Sequence, residues 1–414
     1  MAIQGLRDTS GFVTDQRPKN WREGIFLMNP NGMTSLTGLT SLMKSKVTDD
    51  PDFYWWDKYK DTRRVKLSAA ALITDTALSV VSDSESTSMG AKILKQGDLL
   101  YNENTGEIVR VVADPTLDTS VTVSRAFAGS TAAAMSATVV TKSPYLVVIG
   151  SAYEEGSTAP TGVNRDPTKR VNYTQIFRNT LEMTRTAAKT RLRTGDAVVE
   201  AKRECLQYHG SDMERAFWFG KGQNTLTVNG KPARTTDGVI NVIDSGNVKD
   251  ASVDYSSGLT MTGLEEYMYN IFLFGSSEKM VFTGNRALLV LQQVMRKNST
   301  WQFTSGIKEF GMNVLRVTSP FGELVFKTHP LFNEQRGSGT TTSSYYGMES
   351  WMWVLDMENI SYRYLTDSDT KYQSDIGVDG LDGMKSGYLT ECGLQTALPK
   401  THYLIKNVVK AAVG

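Results

Sequence analysis

Cysteine and histidine are scarce. Cys205 and Cys392, with His209, His329 and His402, are all that 414 residues contain. Two thiols exclude a disulfide framework and a zinc site of several thiolates, and each cysteine is expected to be structural. The histidines stand far apart with no His-x-x-x-His or Glu-x-x-His pairing, so the ligand spacing of a metal hydrolase is missing. No Gly-x-Ser-x-Gly elbow and no Gly-x-x-x-x-Gly-Lys-Ser/Thr loop occurs. No run of 18 apolar residues exists, which removes a membrane-spanning helix. Residues 1–8 lack the basic segment and apolar stretch of a secretory signal, so synthesis and use in a cytoplasm are expected. Charge of one sign is not in excess either: 45 Lys and Arg face 44 Asp and Glu. A dedicated nucleic-acid binder carries a basic surplus, so that class is disfavoured, local patches aside.

What is present points to a building block. The length is a soft prior for two or three domains, and 40% apolar content suffices for a sizeable core. Residues 171–184 read as a polar, arginine-dotted strand. Tyr173, Gln175, Phe177, Asn179, Leu181 and Met183 fall on one side. Thr174, Ile176, Arg178, Thr180 and Glu182 fall on the other. Neither side is cleanly apolar, so the strand is expected to need a partner surface. A long amphipathic helix follows. Gly195 and Asp196 signal its start, Gly220 and Gly222 its stop. The inner row reads Val198, Ala201, Cys205, Tyr208, Ala216 and Phe219, with Asp212 as its polar break. Glu200, Lys202, Arg203, Glu204, Glu214 and Arg215 fill the outer face.

Residues 1–60 read as an extended arm broken by Gly11, Pro18, Pro30, Gly32 and Gly38, with a short helix over 33–46. The arm ends in Phe53, Tyr54, Trp55, Trp56 and Tyr59, five aromatics in seven positions. Such a cluster is either an anchor for another surface or packing on its own subunit. Residues 61–72 read as a strand. Residues 73–143 read as a small all-β module, with a hairpin from 97–101 to 107–112. Residues 154–169 form a polar linker. The remainder turns α/β: helices over 261–274 and 285–297, a buried strand at 279–283, a hairpin from 311–319 to 323–329, an apolar strand at 351–355, and extended segments over 387–409. In the second helix Leu288, Leu289, Leu291, Gln292 and Met295 form the expected apolar row.

Residues 375–383 set Asp375, Asp379 and Asp382 among glycines, yet their spacing does not fit a twelve-residue calcium loop, and a flexible turn is the better reading. Three Asn-x-Ser/Thr sites, at Asn172, Asn298 and Asn359, lack a secretory context. No catalytic, cofactor or metal constellation emerges.

The order of elements resembles the major capsid (major head) protein of tailed bacteriophages, the Hong Kong 97-type or Johnson fold. Its local patches are Asn172 to Arg178 through Glu182-Met183-Thr184, then Ala201 to Glu204, and Asp212 to Ala216 leading to Gly220. The resemblance implies an α+β chain. Residues 1–60 would form the N-terminal arm, and 61–170 the E-loop with a β insertion at about 73–143. Residues 171–260 would hold the return strand, the spine helix and the start of the peripheral region. An axial domain would span 261–360, and 361–414 would return to the peripheral domain and a C-terminal strand. The implied function is structural and non-enzymatic: self-assembly, through hexamers and pentamers, into an icosahedral virion head holding double-stranded DNA by non-specific contacts. Subunit-contact candidates are Phe53, Tyr54, Trp55, Trp56, Arg63, Arg64, Arg165 and Arg178. A portal, a separate scaffolding protein and a decoration protein are implied partners; a membrane and cofactors are not. Rival readings are an encapsulin-like compartment shell, an α/β enzyme and a tail protein.

Overall fold

The computed structural model describes residues 44–59, 63–83, 89–137, 143–190, 196–256, 258–297, 304–309, 312–333, 347–377, 380 and 382–408. The chain runs through β1 (Lys44–Thr48) and β2 (Asp52–Asp57) into six short strands: β3 (Arg64–Lys66), β4 (Ala77–Ser79), β5 (Asp98–Asn102), β6 (Ile108–Val111), β7 (Ser120–Ser124) and β8 (Tyr145–Ser151). It returns along β9 (Thr168–Tyr173) and β10 (Gln175–Thr184) into the long helix, Ala197–Phe219. Next come the hairpin β11 (Gln223–Val228) and β12 (Lys231–Thr235), then β13 (Val248–Asp250) and a helix, Met261–Ile271. β14 (Glu278–Thr283) leads to a further helix, Asn285–Lys297. The closing strands are β15 (Thr304–Glu309), β16 (Met312–Ser319), β17 (Gly322–Thr328), β18 (Met352–Leu355), β19 (Ile360–Leu365), β20 (Lys371–Gln373), β21 (Gly383–Thr396) and β22 (Tyr403–Lys406). The architecture is α+β, in two compact units: Trp55–Arg170, and Met1–Tyr54 with Val171–Gly414.

The larger unit is built on a seven-stranded sheet in the order β13-β22-β18-β14-β17-β16-β15. Its central strands are apolar without alternation because both faces are covered. Met280, Phe282, Trp353 and Leu355 join one core with Met213, Phe217 and Trp218 from the end of the long helix. Val281, Met352 and Val354 point the other way, into a core with Leu264, Met268, Val290 and Leu291 from the two later helices. In the Asn285–Lys297 helix the buried row is Ala287, Val290, Leu291, Val294 and Met295; Leu289 and Gln292 face solvent, against the expected row.

A second sheet orders β1-β19-β21-β10, with β20 also on β21. β10 alternates as expected, with Phe177 and Leu181 buried and Ile176, Arg178, Thr180 and Glu182 exposed. The single strand expected over 171–184 is split at Thr174 into β9 and β10, and the expectation that it needs an outside surface is corrected: Phe177 joins the core beneath the long helix, and all ten β10 residues pair with β21, from Gln175↔Cys392 to Thr184↔Gly383. The helix expected over 33–46 lies outside the described residues as far as 43, and Lys44 to Lys46 belong to β1.

The smaller unit is a six-stranded sheet in the order β3-β8-β5-β6-β7-β4. The strand expected over 61–72 is short: it holds pairing over Arg64–Lys66 and continues only as isolated bridges at Leu67 and Ala71. Val65 and Leu67, and Leu146 and Val148 from β8, share one core with Leu78, Leu100, Val109 and Val121. The flanking strands are thus part of the module. Glu107, fully buried, receives Arg125 through Nε at 2.7 Å and Nη2 at 2.8 Å, and the N–H groups of Ala126 and Ala133. Burial alone raises its pKa; those donors outweigh it and hold the carboxyl below its usual range.

A shared core has a measurable consequence. Replacing 74–142 by a short Gly-Ser turn should expose Val65, Leu67, Leu146 and Val148 and is expected to yield aggregated protein. A fragment of residues 61–166 keeps the core entire and unfolds cooperatively. Solubility and urea denaturation of both chains check this.

Candidate assembly surface

The long helix positions most of what lies beneath the surface. Asp196 caps it, accepting from Val198 N at 2.8 Å, and its 23 residues span about 35 Å. Cys205 is buried as expected, but beyond it the inner row is His209, Met213 and Phe217, one position on from Tyr208, Asp212 and Ala216. Tyr208 is 66% exposed. Glu214, expected outside, is buried against His329 Nε2, and His329 Nδ1 accepts from Leu331 N at 3.2 Å. His209 lies 2.9 Å from Asn179 Oδ1 on β10 and 2.7 Å from Thr390 Oγ1 on β21, tying the helix to both strands. Lys202 stands over the Tyr372 ring at 4.8 Å. Lys202→Ala therefore costs about 0.5–1 kcal/mol, not zero, in urea denaturation; Tyr372→Leu should abolish the difference.

A further buried cation sits at the end of the Met261–Ile271 helix. Lys279 Nζ donates to the carbonyls of Ile271, Phe274 and Thr401 at 2.7, 2.6 and 2.7 Å, capping that helix. Burial brings its pKa down to about 8, with Asp356 opposing the shift. No group of three or more His, Cys, Asp or Glu side chains placed to hold a metal occurs among the described residues.

The eight expected contact residues are divided between the two compact units. Phe53 is buried, under the Arg363 guanidinium at 6.0 Å from its ring and beside Gly393, so for this residue packing on its own subunit holds. Tyr54 and Trp56 share the opposite side of β2 and are 50% and 64% exposed; Trp55 is half-buried. Arg64 pairs with Glu103, and Arg165 with Asp83, inside the smaller unit. Arg63 is exposed. Arg178 is exposed on β10 next to Ile176, itself 63% exposed. Val199, Leu206 and Tyr208 extend apolar exposure along the helix, and Tyr269, Leu273 and Phe321 do so elsewhere. Contiguous apolar exposure is a feature of surfaces that partners cover, whereas single exposed apolar side chains are ordinary. No described helix is long and apolar enough to cross a membrane.

Comparison with known proteins bears on what covers such surfaces. The family model for the SU10 major capsid protein matches residues 7–409. The chain is similar to a major capsid protein of Pseudomonas phage PaMx41, 27% identical over 337 residues, covering 80% of this chain and 77% of that one. Among solved structures, one from Mycobacterium phage Bobi aligns with 98% of this chain and 98% of its own at a TM-score of 0.45 and 7% identity. The SrpI encapsulin of Synechococcus elongatus aligns with 59% of this chain and 76% of its own at a TM-score of 0.41 and 9% identity.

Proposed function

The chain belongs to the SU10 major capsid protein family, the structural shell proteins of a bacteriophage virion, and from that premise we propose that it closes an icosahedral head around double-stranded DNA. The observation that carries this reading is the family match over residues 7–409. Hexamers and pentamers of the chain would tile the head. A portal would occupy one vertex, a separate scaffolding protein would guide assembly, and a decoration protein is a further candidate partner. Assembly would take place in the cytoplasm of a bacterial host.

The physics of the chain supports this reading. Near-neutral net charge, +1, suits an inner face that must hold DNA without trapping it, since phosphate affinity grows with each neutralised charge. The scattered exposed patches, Tyr54 and Trp56, Arg63, and Ile176 with Arg178, are what a subunit with several neighbours presents. We assign the N-terminal arm, the E-loop at 61–170, the spine helix, and the axial and peripheral domains to the ranges given above.

The test is to express the chain with its virion partners and to examine particles by electron microscopy and nucleic-acid content. Closed shells of uniform size that retain nuclease-protected DNA are expected. Shells that carry foreign protein and no DNA would replace this reading by the compartment one. A monomer at every concentration would remove both.

A further inference from the structure

We propose that the β11–β12 hairpin docks, by charge, on the acidic segment 366–377, around β20, of a second copy of the chain. This rests on the shell reading, which supplies the second copy. The hairpin turns at Asn229 and Gly230, with φ of +52° and +73°, the left-handed pair that a two-residue turn of this hand needs. Among the described residues its strands pair only with each other. Among the described residues its hydrogen-bonding ties to the rest of the chain lie at the base: Arg234 Nε is 3.3 Å from Asp52 Oδ1 and Asn224 Nδ2 donates to Asp52 Oδ2 at 3.4 Å, while Thr235 Oγ1 donates to Lys221 O at 2.7 Å across the stem. From Gln223 to Val228 every residue but Leu226 is exposed. An isolated two-stranded hairpin is marginal in water, so one this bare is stabilised by what covers it.

Charge identifies the cover. From residue 215 to 236 the sequence holds Arg215, Lys221, Lys231 and Arg234 and no acid. From 366 to 377 it holds Asp367, Asp369 and Asp375 against Lys371 alone. Asp367, Asp369, Asp375 and Asp382 are exposed, as are Lys221 and Lys231. Asp367 and Asp375 take left-handed backbone, φ +58° and +57°, as turn residues do. Asp382 already draws the exposed Arg185, at 2.7 Å, within its own chain. Pro232 removes an N–H from β12, which blunts that strand as a template for strand addition. Side-chain charge, with the exposed Val228 at the tip, is what the hairpin has to offer.

The experiment mixes nitrogen-15-labelled and unlabelled chains, assembles them, and applies a zero-length carbodiimide. Heavy-to-light peptides joining Lys221 or Lys231 to Asp367, Asp369 or Asp375 are expected, and should vanish at 1 M salt, where screening reaches a few ångströms. Lys221→Glu with Lys231→Glu should raise the concentration needed for assembly at least tenfold. Adding Asp369→Lys and Asp375→Lys should restore it to within twofold, while melting of the dispersed chains shows that all variants fold. Unchanged assembly, absence of rescue, or crosslinks only within one chain each overturns the proposal. So does unchanged assembly with loss of retained DNA, which would turn the hairpin toward nucleic acid. If the parent forms only soluble oligomers, the shell reading fails, and heavy–light crosslinking in those oligomers still decides the pairing.

Discussion

Trp218→Ala should lower the stability of the dispersed chain by about 3–5 kcal/mol, a large share of the roughly 5–15 kcal/mol that holds a typical domain together. Trp218 is fully buried on the last turn of the long helix. Its ring meets Phe332 at 5.1 Å, Trp353 at 5.2 Å, Phe282 at 5.4 Å and His329 at 5.6 Å between centroids. Phe282 and Trp353 belong to the central strands of the seven-stranded sheet, so this one side chain fastens the helix end to that sheet. Truncation leaves a cavity lined by rigid rings that cannot collapse into it. Trp218→Phe keeps most of the contact and removes an indole N–H that meets no acceptor among the described residues, so its loss should stay below about 2 kcal/mol. Guanidinium denaturation of both variants measures the contrast. A loss under 1.5 kcal/mol for alanine would mean that the helix end is held elsewhere.

The ends of that helix were legible in the sequence because its signals are local. Asp196 caps by accepting from its own first turn. Gly220 is required because a Cβ there would lie 2.5 Å from Ala216 O and 2.6 Å from Thr236 O. The inner face was legible only in part, and the reason is long-range. Periodicity treats Glu214 as a surface charge, whereas His329, 115 residues away, accommodates it inside. The second half of the buried row is His209, Met213 and Phe217, with His209 held by Asn179 and Thr390, and Tyr208 is left in solvent. The strands at 278–283 and 352–355 were easy to find, since a short apolar run between polar breaks has few other readings. The aromatic cluster shows the limit for the surface: alternation sorts Phe53 from Tyr54 and Trp56, but which side is covered depends on Arg363 and Gly393 far along the chain.

Acid should weaken the protein on descent below about pH 6.5, and His402 is the main reason. It is fully buried. Its Nε2–H donates to Ala397 O at 3.2 Å, and its Nδ1 accepts from Asp356 N–H at 3.2 Å. The neutral ring thus uses both nitrogens, and a second proton would set one N–H against another. Burial pushes the pKa down to about 4; the Ala397 carbonyl and Asp356 oppose that shift and the Lys279 ammonium adds to it. Burial also lowers His209, against the pull of Asp212. Unfolded histidine titrates near 6.5, so between pH 6.5 and 4 the unfolded chain binds more protons and stability rises with pH. The stabilisation is complete above about pH 6.5 and is lost on descent toward pH 4, by about 3 kcal/mol for His402 at 1.36 kcal/mol per pH unit. Glu107 and Asp250, whose pKa values lie below the carboxylate range, add their loss only at lower pH. Urea midpoints of the dispersed chain from pH 7.5 to 4.5 should therefore fall, and His402→Gln should start lower yet decline with a shallower slope. Parallel slopes for parent and variant would show that His402 does not carry the acid sensitivity.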